Sequence, residues 1–431
     1  MLGDRLRWIL HCIYVVSLVR CLGRGVHKIW PEIHFTRYNR AMKLNDILPD
    51  KDTPQCIYCA KCQAHMVLAF EDFDERLTGV HLIIKNLPVL KCLACNYKAF
   101  PDNSRSLVIS LHKKATSESV SKIIETRLKS TTRFGLTKVK FLYDTDDYRY
   151  IPGLERFDDS GFLTPVFFNK EVLIKFNSHP EYKVHFASRS YGTICRSNDY
   201  DISFGINRNG KLIMWLGDIA RLPESEQHFL RSENVASDHD VGSEFYDGQI
   251  EVKYTDPPPE DQLVLARAVF LDQFFRSFNV KLDHLSSETF ESITSLRPPV
   301  VNTKEEMERV IGLLNKINIE SIDSKTLRSL LTDRSIDSKG LRSLKRIERL
   351  FMHEFPRQGI SSMIAPFFII YDLRTYTSHT LSETDKSIVW KSVCERLGID
   401  ELTTYTELYN QLVQRLKESY QALTDLLDRT V

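Results

Sequence analysis

Hydrophobic patterning changes character three times along the chain. Met66-Val-Leu-Ala-Phe and Val80-His-Leu-Ile-Ile-Lys-Asn-Leu read as two β-strands flanking an acidic turn region from Glu71 to Thr78. Residues 104–135 are polar, and Ser119-Val-Ser-Lys-Ile-Ile-Glu-Thr-Arg-Leu places its apolar residues at helical spacing. From Val139 to Tyr254 short apolar runs alternate with Gly, Pro and Asn, among them Phe162-Leu-Thr-Pro-Val-Phe-Phe, Val172-Leu-Ile-Lys-Phe and Tyr182-Lys-Val-His-Phe. This pattern predicts a mainly β domain. Within it, Asn209-Gly210 between two apolar alternations predicts a two-residue hairpin turn, since both central residues must take positive φ. Asp256-Pro-Pro-Pro259 is a stiff extended boundary, after which the apolar spacing turns helical from Glu260 to Leu416. Inside that helical stretch, Ser321-Ile-Asp-Ser-Lys-Thr-Leu-Arg-Ser-Leu330 recurs 14 residues later as Ser335-Ile-Asp-Ser-Lys-Gly-Leu-Arg-Ser-Leu344. Two copies do not make a solenoid, and a short tandem duplication lengthening a connection or helix accounts for them.

Cysteines change this picture most. Cys56, Cys59 and Cys62 form overlapping Cys-x2-Cys steps, and Cys92-x2-Cys95 follows the expected hairpin. Two such knuckles aim four thiolates at one point and close a tetrahedral shell, which points to structural zinc rather than an open catalytic site. Cys59 belongs to either first knuckle, so Cys56 and Cys62 are alternatives for the remaining position. His65 and His81 are nearby, but four thiolates already fill the shell, and both are expected to be surface or core residues. Asn96 follows Cys95 and suits the left-handed conformation common after a knuckle. A second group of candidate ligands, Asp238-His239-Asp240 with Glu244, lies in a polar stretch of the β-rich region and is read as a loop, because adjacent strand residues point to opposite faces.

Composition adds limits. With 431 residues and 42% apolar content the chain is long enough for several buried cores. Its 58 basic residues are balanced by 57 acidic ones, so no global field favours nucleic acid or membrane, and any such contact must be local. Clustered Cys-x2-Cys pairs with otherwise scattered cysteines suit a reducing cytoplasm. Trp8 to Val19 is apolar and follows a basic stretch, yet it is too short to span a bilayer. Residues 1–41 are expected to be an extension upstream of a start at Met42, the alternatives being a membrane-associating helix or a structured arm.

Two local resemblances follow from these residues. The knuckles with the intervening Asn86-Leu-Pro-Val-Leu-Lys-Cys92-Leu-Ala-Cys95-Asn resemble the YgiT/MqsA type of zinc finger, found in antitoxins of toxin–antitoxin pairs. Asn96 departs from the usual glycine, and the spacing of that family favours Cys59/Cys62 as the first knuckle. Near the C-terminus, Arg374-Thr-Tyr-Thr-Ser-His379 follows the apolar Met363 to Leu373 and resembles the Arg-x4-6-His motif of HEPN domains, helical bundles of RNA-cleaving toxins and phage-defence proteins. That resemblance implies metal-independent ribonuclease chemistry, with His379 moving the proton of a 2′-hydroxyl or leaving oxygen and Arg374 stabilising the phosphate, in a site that two protomers complete as a homodimer. Five residues on a helix turn through about 140°, so the two side chains need a groove between helices or subunits.

The expected architecture is multidomain α+β: an N-terminal extension (1–41), a four-cysteine zinc ribbon (42–103), a helical connector (104–138), a β-rich domain (139–256) and an all-helical HEPN-like bundle (260–431). RNA is the expected partner and a membrane is not. The alternative function is a non-enzymatic sensor or scaffold that binds nucleic acid or protein through the zinc finger and β-rich domain.

Overall fold

A computed structural model describes Lys43, Ile47 and residues 55–429, apart from residues 159, 197, 198, 285, 357, 379 and 380. Contacts divide the chain into Met1–Met42 and Lys43–Val431, and the fold described below belongs to the second part. Residues 1–41, expected to be an extension upstream of Met42, lie outside the described residues. Fourteen α-helices and two sheets occur among the described residues, a mixed α/β architecture.

The first sheet is built on a long antiparallel hairpin, β1 (Met66–Leu77) and β2 (Val80–Cys92), which pairs Met66 with Cys92 and Leu77 with Val80 and shifts register at a bulge between Glu71 and Phe73. The acidic stretch expected as a turn is therefore strand, and the turn shrinks to Thr78-Gly79, both at positive φ. Charge pairing explains the correction. Glu71 faces Lys91 and Lys98, Asp72 holds Lys85 at 2.6 Å and Asp74 meets His81 at 2.6 Å, so the acids form the wet face of a strand and Leu77 and Leu82 its buried face. A short strand β3 (Lys98–Ala99) adds to β2.

The connector also departs from expectation. Helix α1 (Asp102–Ser117) covers its first part, but Lys122–Thr126 is strand β4, parallel to β2. Ile123 and Ile124 are β-branched, and the open edge of β2 offers backbone partners that a free helix would lack.

The second sheet is six-stranded, in the order β10-β5-β9-β8-β7-β6, with every pairing antiparallel. Its strands are β5 (Pro165–Phe168), β6 (Tyr182–Phe186), β7 (Tyr191–Arg196), β8 (Tyr200–Ile206), β9 (Leu212–Trp215) and β10 (Asn234–Val235). Short helices decorate it: α2 (Thr145–Tyr150), α3 (Val172–Ser178), α4 (Leu216–Ala220), α5 (Glu224–Ser232) and α6 (Glu244–Gln249). The run Val172 to Phe176 is thus helix rather than strand, because Val172, Leu173 and Phe176 fall on one buried face. The β8–β9 hairpin stands where Asn-Gly predicts it, with a different turn. Only Gly210 has positive φ, and Asn207 closes a three-residue loop by donating to the Lys211 carbonyl at 3.0 Å.

The remaining helices are α7 (Pro259–Phe278), α8 (Ser286–Thr294), α9 (Lys304–Asn315), α10 (Ser324–Asp333), α11 (Ser343–Glu354), α12 (Ile360–Ser378), α13 (Glu383–Leu397) and α14 (Tyr405–Asp428). They enclose one apolar core in which Phe270, Phe351, Phe367 and Tyr420 meet. The duplicated decapeptides adopt different structures. In the first, Asp323 caps α10 by accepting from Lys325 N–H at 2.8 Å; in the second, Gly340 at φ 74° halts the chain in a turn before α11.

What joins the hairpin to the six-stranded sheet is shared burial. Ile57 and Leu68 enter the same apolar cluster as Tyr148, Phe167, Trp215 and Phe245. Alongside it, Arg127, at the end of β4, forms an ion pair with the fully buried Asp146 of α2 and lies over the rings of Phe70 and Tyr150. Removing one member of such a pair strands a buried charge. Arg127→Met is expected to lower the unfolding free energy by about 3–5 kcal/mol in urea titrations, and Arg127→Met with Asp146→Leu to recover much of that loss.

Candidate functional site

The open end of the β1/β2 hairpin carries both cysteine knuckles, one before β1 and one after β2, and backbone geometry repeats between them. Cys59 N–H donates to Ala64 O and Gln63 N–H to Cys59 O, both at 2.8 Å; Cys92 N–H donates to Tyr97 O at 2.8 Å and Asn96 N–H to Cys92 O at 2.9 Å. Gln63 and Asn96 both take left-handed φ, 61° and 56°. Asparagine tolerates that conformation and glutamine has no special preference for it, so only the second knuckle was legible at this position.

These turns bring together Cys59, Cys62, Cys92 and Cys95, whose sulfurs all lie within 4.8 Å of one another. Cys56 is not a member of the group. The separations Cys59–Cys95 and Cys62–Cys92 are 3.4 Å and Cys62–Cys95 is 3.6 Å. Four sulfurs about 2.3 Å from a tetrahedral metal would sit roughly 3.8 Å apart, so the donor set fits a closed four-thiolate centre. Cys59 and Cys92 are buried, while Cys62 and Cys95 reach solvent.

The sulfurs also divide electrostatically. Burial opposes ionisation of Cys92, but the N–H groups of Cys95 and Ala94 and the Cys62 thiol outweigh it and lower the pKa to about 6. Cys59 is lowered in the same way, with burial outweighed by the N–H groups of Lys61 and Cys62 and by the Cys95 thiol. The Tyr97 N–H favours a Cys95 thiolate, yet burial and the three neighbouring sulfurs raise its pKa to about 12. Packed thiolates repel, and a central dication would relieve that repulsion. Among the described residues no other group of His, Cys, Asp and Glu has metal-holding geometry.

Both nearby histidines are occupied elsewhere. His65 Nε2 lies 2.9 Å from Asp247 Oδ1 of α6, and His81 pairs with Asp74. The Asp238-His239-Asp240 loop is divided among separate partners. Asp238 receives Asn207 Nδ2 at 3.1 Å, Asp240 receives Arg208 Nε at 2.7 Å, and His239 Nδ1 meets Asp147 Oδ1 at 2.6 Å. Leu68 N–H donates to the His239 carbonyl at 3.1 Å, which sets this loop against β1. The loop is a clamp between the hairpin and the larger sheet. Sequence patterning missed Asp147 as the acceptor for His239; the clustered acids in Asp144-Thr-Asp-Asp147 were the available signal.

Arg374 stands in the last turns of α12 with its side chain 49% exposed, and its guanidinium meets Glu320 Oε1 at 2.9 Å. Glu320 ends a π-helical turn, Lys316–Glu320, and accepts Asn315 Nδ2 at 2.6 Å. Buried Arg267 anchors that turn through Ile317 O and Ser321 Oγ, each at 2.9 Å. His379 lies outside the described residues. Two residues beyond Arg374, Tyr376 lines an open groove with Trp390 and Tyr405, all three rings half-buried.

No family model, curated protein or solved structure matches the chain. No helix among the described residues is long and apolar enough to cross a membrane.

Electrostatics at the clamp give it a pH dependence. Burial alone would lower the His239 pKa, but the hydrogen bond and charge of Asp147, with Asp144 behind it and Lys129 opposing, raise it. Complete burial likewise raises Asp147, with His239 opposing. For His239 the folded value exceeds the unfolded one, so its stabilisation is present below the ordinary histidine value of about 6.5 and is lost as pH rises through the raised folded value, while the raised Asp147 acts in the same sense from the ordinary carboxylate value of about 3.9 upward. Unfolding free energy measured in urea should therefore fall as pH rises above about 6.5, and His239→Gln should flatten that slope.

Proposed function

We propose that Cys59, Cys62, Cys92 and Cys95 hold a structural zinc ion, and that the chain is an RNA-directed protein whose HEPN-like helical domain cleaves RNA without a metal through Arg374 and His379 in a homodimer. The zinc assignment is carried by the convergence of four sulfurs within 4.8 Å, a donor set that leaves no position for substrate. Zinc is redox-inert and closes such shells, so its role is to staple the open end of the hairpin.

The ribonuclease reading is supported by one observation, the exposure of Arg374 in an exchangeable ion pair. A guanidinium–carboxylate pair with partners 49% and 45% exposed is worth only about 0–1 kcal/mol, so a phosphate can displace Glu320 at small cost. Arg374 would then bind the phosphate bidentately and stabilise charge in the transition state, while His379 supplies general acid–base catalysis. The competing reading is a non-enzymatic sensor or scaffold. It draws on the shared core between hairpin and larger sheet, which makes the cysteine module part of a rigid platform.

Metal analysis of the purified chain should find one zinc per protein. Cys62→Ser and Cys92→Ser should lose it, whereas Cys56→Ser should keep it; zinc loss in Cys56→Ser with retention in Cys62→Ser would reverse the ligand set. For catalysis, the protein should cut single-stranded RNA with no added metal, and Arg374→Ala or His379→Ala should each slow cleavage by about 100-fold or more. No cleavage by the wild type, or equal cleavage by all three proteins, leaves the scaffold reading.

A further inference from the structure

The groove beside α12 has the makings of a second site. Its volume is about 350 Å³, within the range of small-ligand pockets, and Asn302, Tyr376, Glu383, Lys386, Trp390 and Tyr405 contribute to its lining. The three aromatic rings adjoin in series. Tyr376 and Trp390 have centroids 5.5 Å apart at 36°, Trp390 and Tyr405 are 5.5 Å apart at 87°, and the two tyrosine hydroxyls lie 3.4 Å from each other. Trp390 Nε1 donates to Glu401 O at 2.9 Å, which fixes the indole in place. Helix folding explains the arrangement: Ser382 and Thr404 cap α13 and α14, and Asn302 Oδ1 accepts Tyr405 N–H at 2.7 Å, so Trp390 in the middle of α13 and Tyr405 at the start of α14 stand on anchored helices beside Tyr376 near the end of α12.

This geometry selects a ligand class. Trp390 offers a half-buried indole against which a flat ring can stack, flanked by the tilted Tyr376 and the perpendicular Tyr405. Lys386 stands at the rim, and Lys304 is close enough to act electrostatically on both Glu383 and Tyr405. Lys386 pairs with Glu383 at 2.5 Å, but Glu383 is 89% exposed and is easily exchanged for another anion. Asn302 spends its oxygen on Tyr405, and its amide N–H group is the donor left for a ring edge.

We propose that this groove binds one unstacked nucleotide, with its base against Trp390 and its phosphate at Lys386. The nucleotide is either free or one unit of a single strand. The inference does not rest on the ribonuclease reading, since Arg374 and Tyr376 are two residues, or about 200°, apart on α12 and face different ways.

Calorimetry with the full chain tests it, using AMP, UMP, a 2′-O-methylated single-stranded RNA that 2′-hydroxyl chemistry cannot cut, and the same oligonucleotide as a duplex. Because binding rather than cleavage is read, an inactive Arg374 leaves the result untouched. Single-stranded RNA or a mononucleotide should bind and the duplex should not; binding by both mononucleotides and the strand identifies a free-nucleotide site, binding by the strand alone a strand site. Trp390→Ala should weaken binding about tenfold or more, while Trp390→Phe, which keeps a ring and guards against misfolding, should stay within about threefold. Glu383→Gln should tighten binding by releasing Lys386. Absence of binding by every single-stranded or free probe, equal binding of the duplex, or an unchanged affinity in folded Trp390→Ala would overturn the proposal.

Discussion

Two carboxylates without solvent exposure, Asp146 and Asp147, sit side by side on one short helix, and their desolvation is the constraint around which the cysteine hairpin and the larger sheet are joined. An unpaired buried carboxylate costs several kcal/mol, so each needs a partner with positive character. Those partners come from opposite directions. Arg127 arrives from the end of β4, which exists only because β2 offers it an edge, and His239 arrives from the loop that also hydrogen-bonds to Leu68 of β1. Asp146 gains its partner only when the connector has paired with the hairpin, and Asp147 only when the His239 loop is in place. The interface is therefore specified by charge as well as by the apolar contact of Ile57 and Leu68 with Trp215 and Phe245.

The cysteine centre acts at the other end of the same hairpin. A two-residue turn closes one end of β1/β2, and the four-sulfur cluster gathers the other, so the strands are held at both limits. His65, immediately before β1, turns away from the sulfurs to Asp247, and its carbonyl accepts Arg208 at 2.8 Å. A metal bound at the sulfurs would thus stabilise an element whose outer surface is already committed to the larger sheet. That commitment gives the cysteine module a supporting role in the fold.

In that domain α12 serves two faces at once. Its buried side, with Ile364, Phe367, Ile370 and Leu373, fills the core, while its last turns present Arg374 toward the π-helical turn and Tyr376 toward α13 and α14. The π turn is held by a buried arginine and by Tyr420, whose hydroxyl donates to Asn318 at 3.0 Å, so Glu320 meets Arg374 from a fixed position. An exposed arginine on a rigid support and a half-open aromatic wall are features that packing alone does not require.

By itself the sequence determined what depends on short-range geometry. Cys-x2-Cys spacing fixes where thiols converge, alternation in Ile202 to Leu216 marks a hairpin, and Pro257 to Pro259 with capped apolar spacing beyond them marks the helices, because each is a property of a few neighbouring residues. Tertiary structure decided what depends on partners far along the chain. Cys62 rather than Cys56 joins the cluster because the left-handed Gln63 repeats the geometry of Asn96. Glu71 to Asp74 become strand because Lys85, Lys91 and Lys98 lie across from them, and Lys122–Thr126 becomes strand because β2 has an open edge. Asp146 and Asp147 look like ordinary loop acids until folding removes their water, and a buried charge acquires its meaning only from the residue brought to meet it.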